Sequence, residues 1–216
     1  MELSALAGNP RLKEMLSQRE EGRGLSHAYM ISGQVGSGRH TLARMLSAAM
    51  MCTAALSERP CGRCPACKKV FAGIHPDVIV TDGGGQGKSI AVDQVRAIRT
   101  DAYIRPNEGV RKVYLLEGAD QMNPSAQNAM LKLLEEGPSY AAFLLLCDGA
   151  GTLLQTVRSR CEELSMTPVP LKECRSWLRA RFPGTSEIEL EQAALTCQGI
   201  LGRAVEQLQG MDEGVQ

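Results

Sequence analysis

The sequence lacks an excess of either charge: 216 residues carry 24 Lys+Arg against 24 Asp+Glu. A positive field over the whole molecule is thereby excluded, and any contact with nucleic acid must come from local basic patches. No apolar run approaches the ~20 residues that span a bilayer. The start, MELSALAGNPRLKEML, has no basic stretch leading into an apolar core and a small-residue cleavage site. Together these absences predict a cytoplasmic protein without membrane association. Internal repeats and low-complexity segments are also missing, apart from a short glycine run at Gly83–Gly87. The 44% hydrophobic and 22% charged residues are ordinary for a chain that buries a core. A length of 216 residues exceeds one domain of ~100–150 residues and falls short of two large ones, which points to one main domain with a small appendage.

Apolar residues at helical spacing (Leu6, Leu12, Met15) predict a helix over Leu3–Arg19, and Gly22 and Gly24 end it. Ala28–Ser32 then reads as a buried strand, residues 33–38 (GQVGSG) as a glycine turn, and Thr41–Met51 as a helix. Further strands are expected at Asp77–Thr81, Val113–Leu116 and Phe143–Cys147, with helices at Val92–Ala102 and Pro124–Glu135 between them. Strand–helix alternation of this kind implies a parallel α/β sheet with crossover helices on both faces. After the two prolines of Met166–Pro170 everything reads as helix: Leu171–Phe182, Ile188–Cys197 and Leu201–Leu208.

A phosphate-binding loop needs glycines so that successive N–H groups turn inward on the anion. A terminal Lys neutralises the outer phosphates, and the following Ser/Thr hydroxyl ligates Mg²⁺. Gly33, Gly36 and Gly38 keep the turn, but Arg39 stands where the lysine belongs and His40 where the hydroxyl belongs. Arg keeps the charge without being interchangeable with Lys in a tight cradle. A plain glycine turn leading into a helix is the competing reading for nucleotide binding as such. The second half of an ATPase site is an apolar strand ending in Asp-Glu, where Asp holds Mg²⁺ and Glu activates water. Here the strand ends in Glu117-Gly118: Glu117 is a poorer metal carboxylate, and Gly118 has no side chain to serve as base. Gly87-Lys88-Ser89 ends like a phosphate loop, but Asp82 occupies the position where the motif requires glycine, so a surface connection is expected.

Four of the eight cysteines, Cys52, Cys61, Cys64 and Cys67, give C-x8-C-x2-C-x2-C. Four thiolates satisfy a tetrahedral Zn²⁺ and leave no open position for water, so a structural metal is expected in place of free thiols. Cys147, Cys161, Cys174 and Cys197 lie in apolar or helical contexts and read as small buried hydrophobes.

His27-Ala28-Tyr29, Ala119-Asp120, the run Asn128–Glu136, Leu153–Arg158 followed by Ser159-Arg160-Cys161, and Gly199–Ala204 together resemble bacterial DNA polymerase III clamp-loader subunits over nearly the whole chain. That resemblance implies an AAA+ P-loop NTPase-like domain at 1–167 with a zinc module at 52–67, and a helical lid at 168–216 that brings Arg203 to the nucleotide site. It also implies a collar domain, for which this chain has no room, so a truncated form is expected. Arg39, His40 and Gly118 depart from the motor subunits gamma and tau in the manner of delta-prime-type members. The implied function is a subunit without ATPase activity of its own, with Arg160 as an arginine finger acting in trans. Its implied partners are gamma/tau and delta, the sliding clamp and primer–template DNA. Two rival functions stand beside it. One is a working motor ATPase using Arg39 and Glu117. The other is a zinc-stabilised DNA-binding module using Arg96, Arg99, Arg105, Arg111 and Lys112.

Overall fold

A computed structural model describes residues 1–22, 24–83 and 89–213. The strands are β1 (Ala28–Ser32), β2 (Val78–Thr81), β3 (Lys112–Glu117), β4 (Ala141–Cys147) and β5 (Glu162–Ser165). They form one sheet in the order β2-β3-β4-β1-β5, and every pairing is parallel. Side chains alternate between faces along a strand, and here both faces are dry. Tyr29, Ile31, Val113, Leu115, Leu144 and Leu146 enter one core with α1 (Pro10–Gly22), α2 (Arg39–Met51) and α3 (Pro65–Phe71). Met30, Tyr114, Leu116, Phe143 and Leu145 enter the other with α4 (Val92–Ala102), α5 (Pro124–Glu136) and α6 (Gln155–Arg158). Burial on both faces explains the near-continuous apolar runs that mark these strands. The rings of Tyr114 and Phe143 stack across β3 and β4 at 5.4 Å.

A third core, of Cys174, Leu178, Leu190, Ala193, Cys197, Ala204 and Leu208, joins α7 (Leu171–Arg181), α8 (Glu187–Thr196) and α9 (Leu201–Glu213). The start of α8 is a capping box: the Ser186 hydroxyl accepts from the Glu189 N–H at 3.4 Å and the Glu189 carboxylate accepts from the Ser186 N–H at 3.1 Å.

Several expectations need correction. The first helix begins at Pro10, not Leu3, because Gly8 and Asn9 are left-handed (φ 62 and 55) and Pro10 opens the helical turn. Its buried face is Leu12 and Leu16; Met15 is exposed, and Leu6 reaches the core from outside the helix. β5 had no apolar run to announce it, since only Leu164 of Glu162–Ser165 is buried. α3 was hidden within the cysteine cluster. The Gly87-Lys88 near-match and the glycine run beyond Gly83 lie outside the described residues. Among the described residues, no helix is long and apolar enough to cross a membrane.

The connection from α4 to β3 is held by one buried carboxylate. Asp77 accepts from the N–H groups of Asn107 (2.6 Å), Glu108 (2.9 Å) and Gly109 (2.7 Å). Burial disfavours its charge, but these donors outweigh burial and hold its pKa below the ordinary carboxylate value. A depressed folded pKa stabilises above the unfolded value, and that contribution is lost as pH falls through the folded one. Asp77→Ala strands three donors and is expected to lower stability by about 3 kcal/mol. Urea unfolding at pH 7 checks this, and the gap from wild type should narrow as the medium is acidified.

Candidate functional site

β1 runs into the glycine loop at the carboxyl edge of the sheet. The Gly33 N–H donates to the Cys147 carbonyl at 3.1 Å, and a Cβ on Gly33 would sit 2.6 Å from Ser37 Oγ and 2.8 Å from Met166 Cβ. Gly36 and Gly38 are left-handed, φ 83 and 94, which L side chains resist. The loop therefore has the backbone that its glycines promised. Its first helical side chain does something else: Arg39 Nη1 donates back to the Gly33 carbonyl at 2.8 Å and pairs with Asp148 at the end of β4. The Arg39 side chain is only 11% exposed, and its charge is offset within the protein by Asp148. Ser37 Oγ and Arg39 Nε are buried without a hydrogen-bond partner.

The remaining predicted nucleotide-site residues converge on the same edge. His40 Nδ1 lies 3.2 Å from Glu117 Oε1 at the end of β3. Gly118 follows in a left-handed conformation, φ 68. Arg203 of α9 donates to Gln34 Oε1 at 3.2 Å. The start of α9 rests on the loop itself, because the Gly202 N–H donates to the Gly36 carbonyl at 2.9 Å. A Cβ on Gly202 would come within 2.4 Å of Gly36 Cα, so only glycine permits this approach. A cavity of about 360 Å³ lies between the loop, Ala5–Ala7, Trp177, Leu201 and Val205. Asp148, which follows β4, and Trp177 were not among the site residues expected from the sequence.

Chemically, Arg39 stands in place of the motif's lysine, His40 in place of its metal-ligating hydroxyl, and position 118 has no side chain. The carboxylate at 117 already faces a histidine.

The four cysteines come together as their spacing requires. Cys52 closes α2 and Cys64 caps α3. Thiolates about 2.3 Å from a tetrahedral zinc stand about 3.8 Å apart, and here all four Sγ atoms lie within 4.8 Å of one another. Backbone donors face the sulfurs: Ala54 and Cys61 to Cys52 (both 3.5 Å), Cys64 to Cys61 (3.4 Å) and Cys67 to Cys64 (3.4 Å). Burial opposes the Cys64 thiolate, but the N–H groups of Cys67 and Thr53 and the adjacent thiols outweigh it and bring the pKa to about 6. Burial and neighbouring thiols push Cys67 upward. The cluster fits a metal ion by donor type, number and spacing. By contrast, burial pushes Cys147 and Cys161 up to about 12 and, with Cys197 beside it, Cys174 to about 11. These read as inert packing thiols.

Arg160 lies between α6 and β5 with its side chain 31% exposed. Its ion-pair partner is Glu135 of α5. Nε donates to Glu135 Oε1 at 2.7 Å, Nη2 meets the same oxygen, and Nη1 donates to the Thr156 carbonyl at 2.6 Å and Ser159 Oγ at 3.3 Å. Of the proposed basic stretch, Lys112 is buried and spent on Asp101 at 2.8 Å, and Arg96 pairs with Asp93 at 2.9 Å.

Comparison with known proteins places these features. A family model described as DNA polymerase III, delta subunit, matches residues 8–170. The chain is 35% identical over 198 residues to DNA polymerase III subunit delta' of Pseudomonas aeruginosa, covering 88% of this chain and 60% of that protein. It is 32% identical over 137 residues to DNA polymerase III subunit gamma of Buchnera aphidicola, covering 63% of this chain and 37% of the relative. The RuvB Holliday junction branch migration motor of Thermotoga maritima superposes with a TM-score of 0.62 at 16% identity, covering 94% of this chain and 61% of that one. The architecture is that of the AAA+ P-loop proteins.

Proposed function

Because the chain belongs to the DNA polymerase III delta-subunit family, we propose that it acts as a delta-prime-type subunit of the clamp loader, without turnover of its own. It contributes Arg160 in trans to ATP held by a neighbouring gamma or tau subunit while the sliding clamp is loaded on primed DNA. One observation carries this reading: at the sheet edge Arg39 is turned onto Gly33 and Asp148 and position 118 has no side chain, whereas Arg160 stays at the surface of the same chain. A protein with a dismantled hydrolytic site and a retained surface arginine is useful to a neighbour. In this reading residues 1–167 form the nucleotide-binding-like domain, 168–216 the lid, and the cysteine cluster holds a structural zinc in a cytoplasmic complex with gamma/tau and delta. Zinc there supplies a cross-link between the end of α2 and the start of α3, and no catalysis.

The motor reading requires a lysine-like Arg39, and its charge is already committed to Asp148. The DNA-binding reading loses Lys112 to the interior. The isolated chain is therefore expected to hydrolyse no ATP above background, because neither metal nor attacking water is held by a suitable group. A phosphate-release assay checks this. Turnover that disappears in Glu117→Ala would restore the motor reading.

A further inference from the structure

The geometry points to Glu135 as a positioning residue for the trans-acting arginine, an inference that rests on the role proposed for Arg160. An arginine carries five N–H donors. Four of those on Arg160 are directed at fixed acceptors: Nε and one Nη2 proton at Glu135 Oε1, and the two on Nη1 at the Thr156 carbonyl and Ser159 Oγ. One Nη2 donor remains for an outside anion. Glu135 reaches this pair from the last turn of α5, a helix whose Ala126, Met130, Leu133 and Leu134 are locked into the sheet core. Thr156 lies within the short helix α6 and Ser159 caps its end, with the buried Val157 anchoring the turn. Two core-anchored elements thus hold one long surface side chain.

Two effects of Glu135 oppose each other. Its charge reduces the pull of the guanidinium on a phosphate, and its hydrogen bonds remove the rotamer freedom that an unrestrained arginine must lose at the transition state. The pair is partly exposed, 31% and 45%, so water and salt screen the first effect. Restriction of a side chain with this much rotamer entropy is not screened. Positioning therefore dominates, and the acceptor oxygen matters more than the charge. Arg158, the other nearby guanidinium, is engaged with Glu163 at 3.8 Å.

The test reconstitutes the full-length protein with motor subunits, sliding clamp and primed DNA, and measures steady-state ATP turnover. Glu135→Ala is expected to lower kcat about five- to tenfold with KM for ATP within about twofold. Glu135→Gln, which keeps an acceptor oxygen, should lose only about two- to threefold. Combined with Arg160→Ala, either change should add nothing, since both act through one guanidinium. Melting temperature and subunit stoichiometry monitor folding and assembly, and a purely structural role would not produce the graded Ala–Gln series. Unchanged or faster turnover in Glu135→Ala, with Arg160→Ala still slow, overturns positioning and leaves the pair as a latch or as ornament. Arg160→Ala without effect removes the trans role and this inference together.

Discussion

Arg160→Ala is expected to cut DNA-stimulated ATP hydrolysis and clamp loading in a reconstituted complex while leaving assembly and metal content normal. A guanidinium supplied across an interface contributes ~10³–10⁵ in rate in related phosphoryl transfers, because it stabilises charge that develops only in the transition state. The loss at the interface served should approach that scale; the total falls less steeply wherever other interfaces keep working. Within this chain Arg160 supports little that its removal would collapse: its pair with Glu135 is partly exposed, and exposed pairs contribute about 0–1 kcal/mol. A large kinetic effect with an unchanged melting curve is therefore the signature. Lysine should rescue little, since one ammonium cannot reproduce the planar fork or its simultaneous bonds to Glu135, Thr156 and Ser159. Unchanged turnover in a complex verified to contain the variant would leave this chain a scaffold.

Replacing Cys64 or Cys67 by Ser should abolish stoichiometric zinc, expected at one per chain in protein purified under reducing conditions without chelator. Apparent binding free energies at structural zinc sites run to ~10–16 kcal/mol, and that energy is folding energy for the segment the ion closes. The segment is continuous with the core: Cys52 ends α2, and Cys67 and Val70 of α3 pack into the cluster that contains Leu46 and Met51. Local unfolding of 52–67 should therefore be felt beyond the module. A loss of about 3 kcal/mol corresponds to a fall in Tm of roughly 6–12 °C for a chain of this size. The opposite face of the sheet, with α4 and α5, is untouched, so the variants should stay soluble with helix and strand content largely retained. Elemental analysis and thermal melts decide the matter, and a wild-type preparation free of zinc would refute it.

Elements with strong burial periodicity were legible in the sequence. The bounds of β1 and α4 coincide with expectation, and β3 and β4 extend it by one or two residues, because each strand is apolar on both faces. β5 escaped notice since an edge strand with one buried residue, Leu164, carries almost no hydrophobic signal. Local spacing also placed the cysteines, whose partners are near in sequence. Long-range pairing was not legible. Arg160 could have met Glu162 or Glu163 on its own segment, but the fold brings Glu135 to it from 25 residues away. The contact of Gly36 with Gly202 left two glycines in the sequence and no indication that they meet. Patterning reports which face a residue presents, and only packing determines what it faces.

If this chain works without turnover of its own, as proposed, the left-handed backbone at Gly118 makes that state hard to reverse. Space is not the obstacle, since a Cβ there would meet only the Gln121 side chain, at 3.6–3.8 Å. Conformation is: φ 68, ψ 38 is a region where a non-glycine L residue costs about 1–2 kcal/mol. A glutamate arriving at 118 by mutation would begin with that deficit, and its carboxylate would aim from a backbone shaped for glycine. It would gain no activity in return while Arg39 and His40 stay as they are. Selection for ATP turnover would have to change several positions together.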